Sequence, residues 1–511
     1  MSYIVEQKIK GNVYLYEVTS YWDKEKKQAR QKRKYLGRKD SDKKNKTAKK
    51  KEIIQKNYGN IFFLQKIAQD LGLESILKET FPEDFNDILS LSFFSICNNS
   101  AMYTYHQWLD EHKLQNSKKL HSSDISKLCQ AIGLNQKSMY DFFDKWTTKC
   151  NIKESIYFDI TSISSYSNNI DFIEWGYNRD HERLPQLNIG LFCSEKTGLP
   201  IYYKVYPGSI SDVSTLKNSL KYLKAFDIND VMLILDRGFC SKKNILTMNQ
   251  YESLKFIQPM TFSMKKVSNV IKANKKKLRD ISTVIKFQDE ILHYVSTDFP
   301  LENNIFTAHI FYNEKAEVTQ KHNLLLNICE VEDSFKTKKF NSQKKYLDFR
   351  NDNIPEKYKK FFKYNRSLKI IERNNNALKN HLLKAGYFVF LSNNNKLDAH
   401  SILQHYRKRD IVEKMFHIEK NHMDTKRLRS HSNYNTEGRI FIKFIALIMH
   451  SYISHNMKNK KLFKQYSVKE LLIKLSQIKH VNYKKERIIS EISKAQRNIL
   501  KAFNIKPEML E

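Results

Sequence analysis

Two aspartates, Asp159 in YFDIT and Asp236 in LILDRGF, each close an apolar run that reads as a β-strand. A buried carboxylate is costly unless a metal ion, a base or solvent is at hand. A third acid, Glu413, lies in YRKRDIVEKMFHIEK with Tyr406, Arg409 and Lys420, at offsets of 0, 3, 7 and 14 from the tyrosine. On one continuous helix, at about 100° per residue, these four fall within an arc of about 60°. Ile411, Met415 and Ile418 then face the opposite side, where they can pack against a core. Hard carboxylate oxygens suit Mg²⁺, and a guanidinium or ammonium suits a phosphate oxygen. Taken singly, each aspartate also reads as an ordinary strand-end residue, and Arg409 with Glu413 as an i, i+4 surface salt bridge. Together the three acids point to a metal-carboxylate site.

The elements that must position them follow from periodicity. From Ser155 the chain reads as strands, SIYFDIT and then QLNIGLFCSEKTGLPIYYKVYPG, with a hairpin turn at Glu195 to Gly198. A helix-like DVSTLKNSLKYLKAF and the strand VMLILDRGF come next. This β-β-β-α-β order sets Asp159 and Asp236 at strand ends, where they can converge on one edge of a sheet. YFVFLS, at 387–392, reads as a further strand before a long helix that begins near Leu397 and carries Glu413. The segment between looks inserted between the fourth and fifth strands of the core.

We therefore expect an α/β protein: a hairpin and basic arm (1–54), a helical DNA-binding domain (55–150), a catalytic core (151–250 plus 385–456), a β-rich insertion (251–384) and a helical basic C-terminal region (457–511). The runs YIVEQKI and VYLYEVTSYW, split by Gly11-Asn12, give the hairpin, and Gln28 to Lys51 reads as a solvated linker or an arm able to lie along phosphates.

Composition sets the broad class. Of 511 residues 41% are hydrophobic, and only 12 are Gly and 8 Pro, which excludes a fibrous or disordered chain and fits about three domains. Lys plus Arg number 89 against 55 acidic residues, a formal charge of +34, which favours a polyanionic partner. An AT-rich genome, rich in Lys, Asn and Ile codons, would also contribute to that excess. Six scattered cysteines, without CxxC or zinc spacing, suit reduced thiols in a cytosol. The N-terminal MSYIVEQKIKG has no apolar signal core, and Phe441 to Ile453, the best membrane candidate, is short and interrupted by Lys443 and His450. It reads as a buried helix, so a cytoplasmic protein without a membrane partner is expected.

The chain resembles the DDE transposases of bacterial insertion sequences, in the branch marked by Tyr-x2-Arg-x3-Glu-x6-Lys. Tyr406, Arg409, Glu413 and Lys420 match that signature in type and spacing. Further similarity lies in GYNRDHERLPQLNIGL (176–191), GLPIYYKVYPGSISDVSTL (198–216), LDRGF (235–239), YIVEQKIKGNVYLYEV and YLG at 35–37. The resemblance implies a ribonuclease-H-like catalytic core with a β-rich insertion before the glutamate. Asp159, Asp236 and Glu413 would bind two Mg²⁺ ions, or Mn²⁺ in their place, while Tyr406, Arg409 and Lys420 would contact the DNA backbone near the cut. Arg237 and Phe239 could touch displaced DNA or simply pack, and Arg179, Asp180 and His181 could help at the site or simply form a polar loop between strands; of these Arg237 and Arg179 are the expected DNA contacts, while Trp175 could stack on a flipped base or be a plain aromatic. The implied partners are double-stranded DNA, both terminal inverted repeats and target, and a second copy of the chain in a synaptic complex at the prokaryotic nucleoid. A degenerate copy acting as a non-catalytic DNA-binding repressor, and a structure-selective nuclease on the same fold, are the competing readings.

Overall fold

The computed structural model describes residues 2–39, 54–114, 116–180, 182–423, 427–483 and 486–510. The chain divides into a smaller unit, Met1–Gln55 with His480–Ile489, and a larger one, Lys56–Lys479 with Ser490–Glu511.

In the smaller unit, β1 (Ser2–Ile9), β2 (Asn12–Asp23) and β3 (Gln28–Arg38) form an antiparallel sheet in that order. Lys10 and Gly11, both at positive φ, make the first turn, as a two-residue hairpin requires. The expected linker from Gln28 is thus a third strand as far as Arg38. Its alternation was hidden because both faces of the strand are polar. The rest of the basic arm, 40–53, lies outside the described residues. A short strand β4 (Ile54–Asn57) follows.

The larger unit opens with helices α1 (Gly59–Asp70), α2 (Leu73–Thr80), α3 (Phe85–Cys97), α4 (Tyr105–Glu111), α5 (Ser122–Leu134) and α6 (Gln136–Cys150). In α6, Met139, Phe142, Phe143 and Trp146 repeat at helical spacing and are buried, and the Asn135 side chain caps the first turn by accepting from the Ser138 N–H. Strands and helices then alternate: β5 (Ser155–Ser165), β6 (Gln186–Ser194), β7 (Pro200–Pro207), α7 (Asp212–Ala225), β8 (Val231–Leu235), α8 (Lys242–Asn249), β9 (Leu254–Pro259) and α9 (Lys265–Asn274). Next come β10 (Val284–Phe287), β11 (Glu290–Leu301), β12 (Asn304–Tyr312), α10 (Glu314–Asp333), α11 (Gln343–Asn353), β13 (Phe362–Asn365), β14 (Ile370–Arg373), α12 (Asn375–Leu382) and β15 (Tyr387–Ser392). The chain continues through α13 (Ala399–Arg407), α14 (Asp410–His422), β16 (Arg427–Leu428), α15 (Asn433–Asn459) and α16 (Val468–Ser476). β17 (Lys479–Tyr483) and β18 (Glu486–Ile489) form an antiparallel hairpin, and α17 (Lys494–Ala502) follows it.

One mixed sheet dominates, in the order β10-β11-β12-β15-β9-β8-β5-β6-β7, with β16 added alongside the end of β5. β5, β8 and β9 run parallel, and β6 and β7 are antiparallel neighbours. β9, expected within the insertion, therefore lies beside β8, and β15 joins it antiparallel. Strands 284–312 extend the same sheet rather than build a separate one. The rest of the segment expected as an insertion is more helical than β-rich: α10, α11 and α12 close with the β13–β14 hairpin over a separate cluster of Ile328, Phe335, Phe340, Tyr346, Phe361 and Phe362.

Helix α15 contains the segment Phe441 to Ile453 and is buried within the larger unit. Phe441 meets Phe142 at 5.0 Å and Phe81 at 5.3 Å between ring centroids, and Phe444 meets Tyr203 of β7 at 5.0 Å. Where α5 and α15 cross, a Cβ on Gly133 would sit 1.9 Å from the Tyr434 carbonyl oxygen and one on Gly438 2.0 Å from that of Cys129, so only glycine permits the approach. The helices of 55–150 thus share a core with α15. Among the described residues, no helix is long and apolar enough to cross a membrane.

Candidate active site

β5 is buried along its length except at Asp159, which is half-buried. Its parallel register pairs Phe158 with Leu235, so the next residues, Asp159 and Asp236, emerge side by side where β5 and β8 meet. The rings of Phe192 and Phe239 flank Phe158 at 4.5 and 5.2 Å, and Phe239 is buried there as a packing residue. From β9, the Gln258 amide donates to the Asp236 carbonyl at 3.0 Å.

Glu413 arrives on α14. The expected single helix is broken at Lys408–Arg409, where Arg409 N–H bonds Tyr406 O at 3.2 Å and Ile411 N–H bonds Lys408 O at 3.1 Å, a tightened three-residue turn. Downstream of this break the buried positions of α14 are Val412, Met415, Phe416 and Glu419, with Ile411 and Ile418 half-buried, a rotation away from the single-helix expectation.

Arg409 sits at the centre. Its Nη1 lies 3.4 Å from Asp159 Oδ2 and 3.4 Å from Asp236 Oδ1, and its Nη2 donates to Glu413 Oε1 at 2.6 Å. Three acids from β5, β8 and α14 thus converge on one guanidinium. Burial raises the Asp159 carboxyl to about 7, against the opposing pull of Arg409 and the Ile160 N–H. The arginine is itself held above its usual range: burial disfavours its charge, but Asp236 and Asp159 outweigh that cost. Tyr406 packs edge-on against Phe390 at 4.7 Å with Arg409 over its ring at 5.6 Å, and burial raises its phenol.

The other expected site residues are distributed around this centre. Arg237 is exposed, and with Tyr406, Arg409 and Glu413 it lines a cleft of 910 Å³ whose walls include Phe262, Lys360 and Lys384. Arg179 does not face free solvent: it pairs with Asp212 and donates to Ser162 Oγ at 3.1 Å. Lys420 is bound to Asp180 Oδ2 at 2.7 Å and is largely buried. Trp175 is 69% exposed, and His181 lies outside the described residues.

Two residues without a sequence signal complete the surroundings. A Cβ on Gly238 would stand 2.9 Å from Asp212 Oδ2 and 3.9 Å from Asp236 Oδ2, which brings Asp212 to the edge of the acid cluster. Glu195, in the β6–β7 turn, accepts from His405 Nδ1 at 2.6 Å and from Lys408 Nζ at 2.8 Å, and so ties the α13–α14 break to the sheet. Burial alone would raise Glu195, but those hydrogen bonds hold it below the usual carboxylate range. Tyr157 adds a hydrogen bond to the His405 carbonyl at 2.9 Å.

Whether these residues suit a divalent cation turns on charge. Among the described residues no three His, Cys, Asp or Glu side chains stand close enough to hold a metal ion, and Arg409 contacts all three acids. The donors are nonetheless all hard oxygens, so by donor type the set fits a hard divalent cation such as Mg²⁺.

No curated protein matches the chain. Among solved structures, a cryo-EM structure of the piggyBac transposase synaptic complex with hairpin DNA is similar at 11% identity and a TM-score of 0.36, over 81% of this chain and 70% of that one, a likeness too slight to carry an argument. The family described as the transposase DDE domain matches residues 153–449, which span β5 through most of α15 and all three clustered acids. That match covers more than half of the sequence, and the chain belongs to the transposase DDE domain family.

Proposed function

We propose that this protein is a DNA transposase that binds the ends of its insertion sequence, cleaves them by metal-dependent hydrolysis and transfers the 3′-hydroxyl ends to target DNA. The observation that carries the reading is the convergence of Asp159, Asp236 and Glu413 on Arg409. A ribonuclease-H-like core is supported by the strand order β7-β6-β5-β8-β9, with the first acid on the central strand and the second at the end of its parallel neighbour.

Asp159, Asp236 and Glu413 would hold two Mg²⁺ or Mn²⁺ ions, which when bound supply Lewis-acid activation of the attacking oxygen and charge stabilisation of the leaving oxygen. Arg409 is the residue that must yield: released from the acids, its planar fork suits a phosphate of the strand being cut. Tyr406 holds that side chain over its ring and so limits its swing. Arg237, exposed on the cleft, offers a second cation to the DNA backbone. Arg179 and Lys420 are each paired with an aspartate, Asp212 and Asp180, and would reach DNA only after exchanging those partners. Two copies of the chain would be needed to hold two DNA ends together.

The test is cleavage of a duplex bearing the inverted repeats that flank the gene. Wild-type protein with Mg²⁺ is expected to nick at the repeat end and join the 3′-hydroxyl to a second duplex, whereas Asp159→Asn binds the same duplex and does neither. Cleavage that survives in Asp159→Asn would remove the triad assignment, and cleavage without joining would reduce the activity to that of a nuclease.

A further inference from the structure

Outside the acid cluster, a second group of metal-binding side chains gathers beyond the end of β8. Cys240 closes the short turn that follows Asp236, and its thiol stands 3.8 Å from the thioether sulfur of Met260 and 3.9 Å from that of Met264. Three separate elements deliver these sulfurs: the turn after β8, the residue after β9, and the N-cap of α9. Backbone bonds fix two of them, since the Met260 N–H donates to the Val389 carbonyl at 2.8 Å and the Met264 N–H to the Thr261 carbonyl at 3.3 Å. The Thr261 hydroxyl also donates to the Cys240 sulfur, at 3.8 Å. Ordinary packing accounts for Met260, which is 4% exposed and belongs to the core. Met264 is only half-buried, between exposed Ser263 and Lys265, yet its sulfur lies against the same thiol.

We propose that Cys240, Met260 and Met264 form a binding site for Cu(I), seated behind the turn that follows Asp236. The spacing suits coordination: sulfurs each about 2.3 Å from a common ion stand about 3.8–4.0 Å apart, whether the ion is tetrahedral or trigonal. The donor set selects the ion. One thiolate with two thioethers is soft and favours Cu(I), whereas zinc sites draw on Cys, His and carboxylates, and Mg²⁺ takes hard oxygens. Met260 lines the 910 Å³ cleft, which gives an ion a way in from solvent. On binding, the Cys240 S–H bond breaks, a sulfur–copper bond forms and the proton passes to solvent; the two thioethers donate lone pairs, and no electron is transferred. The bound ion would pin the turn 237–240 to the start of α9. The inference rests neither on the three acids nor on the reading that the chain acts on DNA.

The experiment titrates the full chain with Cu(I) under anaerobic conditions, in competition with the chromophoric Cu(I) chelator bicinchoninate. Wild-type protein is expected to take one tightly held ion per chain at this site, and Cys240→Ser to lose it. Met264→Leu, a change of similar volume, is expected to hold the ion about ten-fold or more weaker, at least the cost of losing an outer-shell partner. Cys329→Ser removes an exposed thiol that lies 3.7 Å from Arg373 Nη2, and should bind like wild type. X-ray absorption at the copper edge should show three sulfur neighbours, and added Cu(I) should raise the melting temperature of wild type but not of Cys240→Ser. Tight binding that survives in Cys240→Ser, or that disappears in Cys329→Ser, would overturn the site. Affinity in Met264→Leu equal to wild type would reduce the thioethers to packing and overturn the donor set, and Zn²⁺ held as tightly as Cu(I) would overturn the choice of ion. Matching far-ultraviolet circular dichroism of the metal-free proteins shows that each variant is folded, and Met264→Leu, at a half-buried position, keeps the test decisive if Cys240→Ser fails to fold.

Discussion

The α13–α14 break carries two charge clusters of opposite make-up within a few residues of each other. At Arg409 one cation faces three acids; at Glu195 one buried acid is held between the Lys408 cation and the His405 ring. Burial acts on both, yet Asp159 ends near 7 while Glu195 is held below the usual range. The difference lies in what opposes burial: Glu195 accepts hydrogen bonds from His405 and Lys408 at 2.6 and 2.8 Å, whereas Arg409 stands 3.4 Å from Asp159. A balanced cluster is satisfied by the protein alone and serves as a joint, whereas an acid-heavy cluster has affinity left over for a cation that the chain does not supply. Chemistry is expected at the second and stability at the first.

The largest effect should separate them by activity. Glu413→Gln is expected to lower DNA cleavage by about 10³-fold or more, roughly 4 kcal/mol of barrier, while Glu195→Gln stays within about ten-fold of wild type. Equal losses in a single-turnover assay would erase the distinction.

Stability should show the reverse order. Removing one partner of a buried ion pair costs about 3–5 kcal/mol, and Glu195→Ala is expected at or below the lower end because Lys408 is 47% exposed. Asp159→Asn should be neutral or stabilising in a urea unfolding experiment, since it removes a carboxylate whose charged form is disfavoured by burial and then by Asp236. A strongly destabilised Asp159→Asn would mean that Arg409 already balances the site.

A sharper version uses the cation itself. In Arg409→Ala the three acids lose the guanidinium they share, so the protein should melt lower than wild type without Mg²⁺ and gain more than wild type when Mg²⁺ is added. Identical Mg²⁺ shifts in the two proteins would show that the guanidinium does not occupy the metal position. DNA cleavage by the same variant should fall, through loss of the phosphate contact.

The smallest effect is in the pH dependence, where the two clusters differ in sign. Asp159 has a raised value, so its contribution to stability is complete below about 3.9 and is lost as pH rises toward 7. Glu195 has a lowered value, so its contribution is present above about 4.3 and disappears as pH falls through its folded value. Asp159→Asn should therefore gain on wild type between pH 4 and 7, and the deficit of Glu195→Gln should shrink below about pH 4. Melting curves across pH 3–8 read both slopes; parallel slopes would refute the opposition.

Much of the fold was legible because burial writes a local pattern. The apolar runs that stop at Asp159 and Asp236 read as strands, the hairpin turn before Gly198 carries its glycine at positive φ, and Phe441 to Ile453 reads as a buried helix. Periodicity failed where pattern and structure part. β3 is polar on both faces and resembles a linker, while β9 is a short apolar run that nothing local marks as parallel to β8. The break at Lys408–Arg409 substitutes a tightened turn for a helical one without any proline or glycine to announce it.

By itself the sequence determined which residue types were available, two aspartates closing apolar strands and one glutamate beside cations at helical spacing, and so on which kind of element each would ride. Only the tertiary structure decided their partners: Asp159 meets Arg409 across 250 residues, Arg179 takes Asp212, Lys420 takes Asp180, and Glu195 reaches His405 and Lys408. Side-chain periodicity reports the direction of the core from residues three or four apart. The charge that surrounds a carboxylate is instead set by chain segments brought together through strand register and helix packing, and no local window contains them.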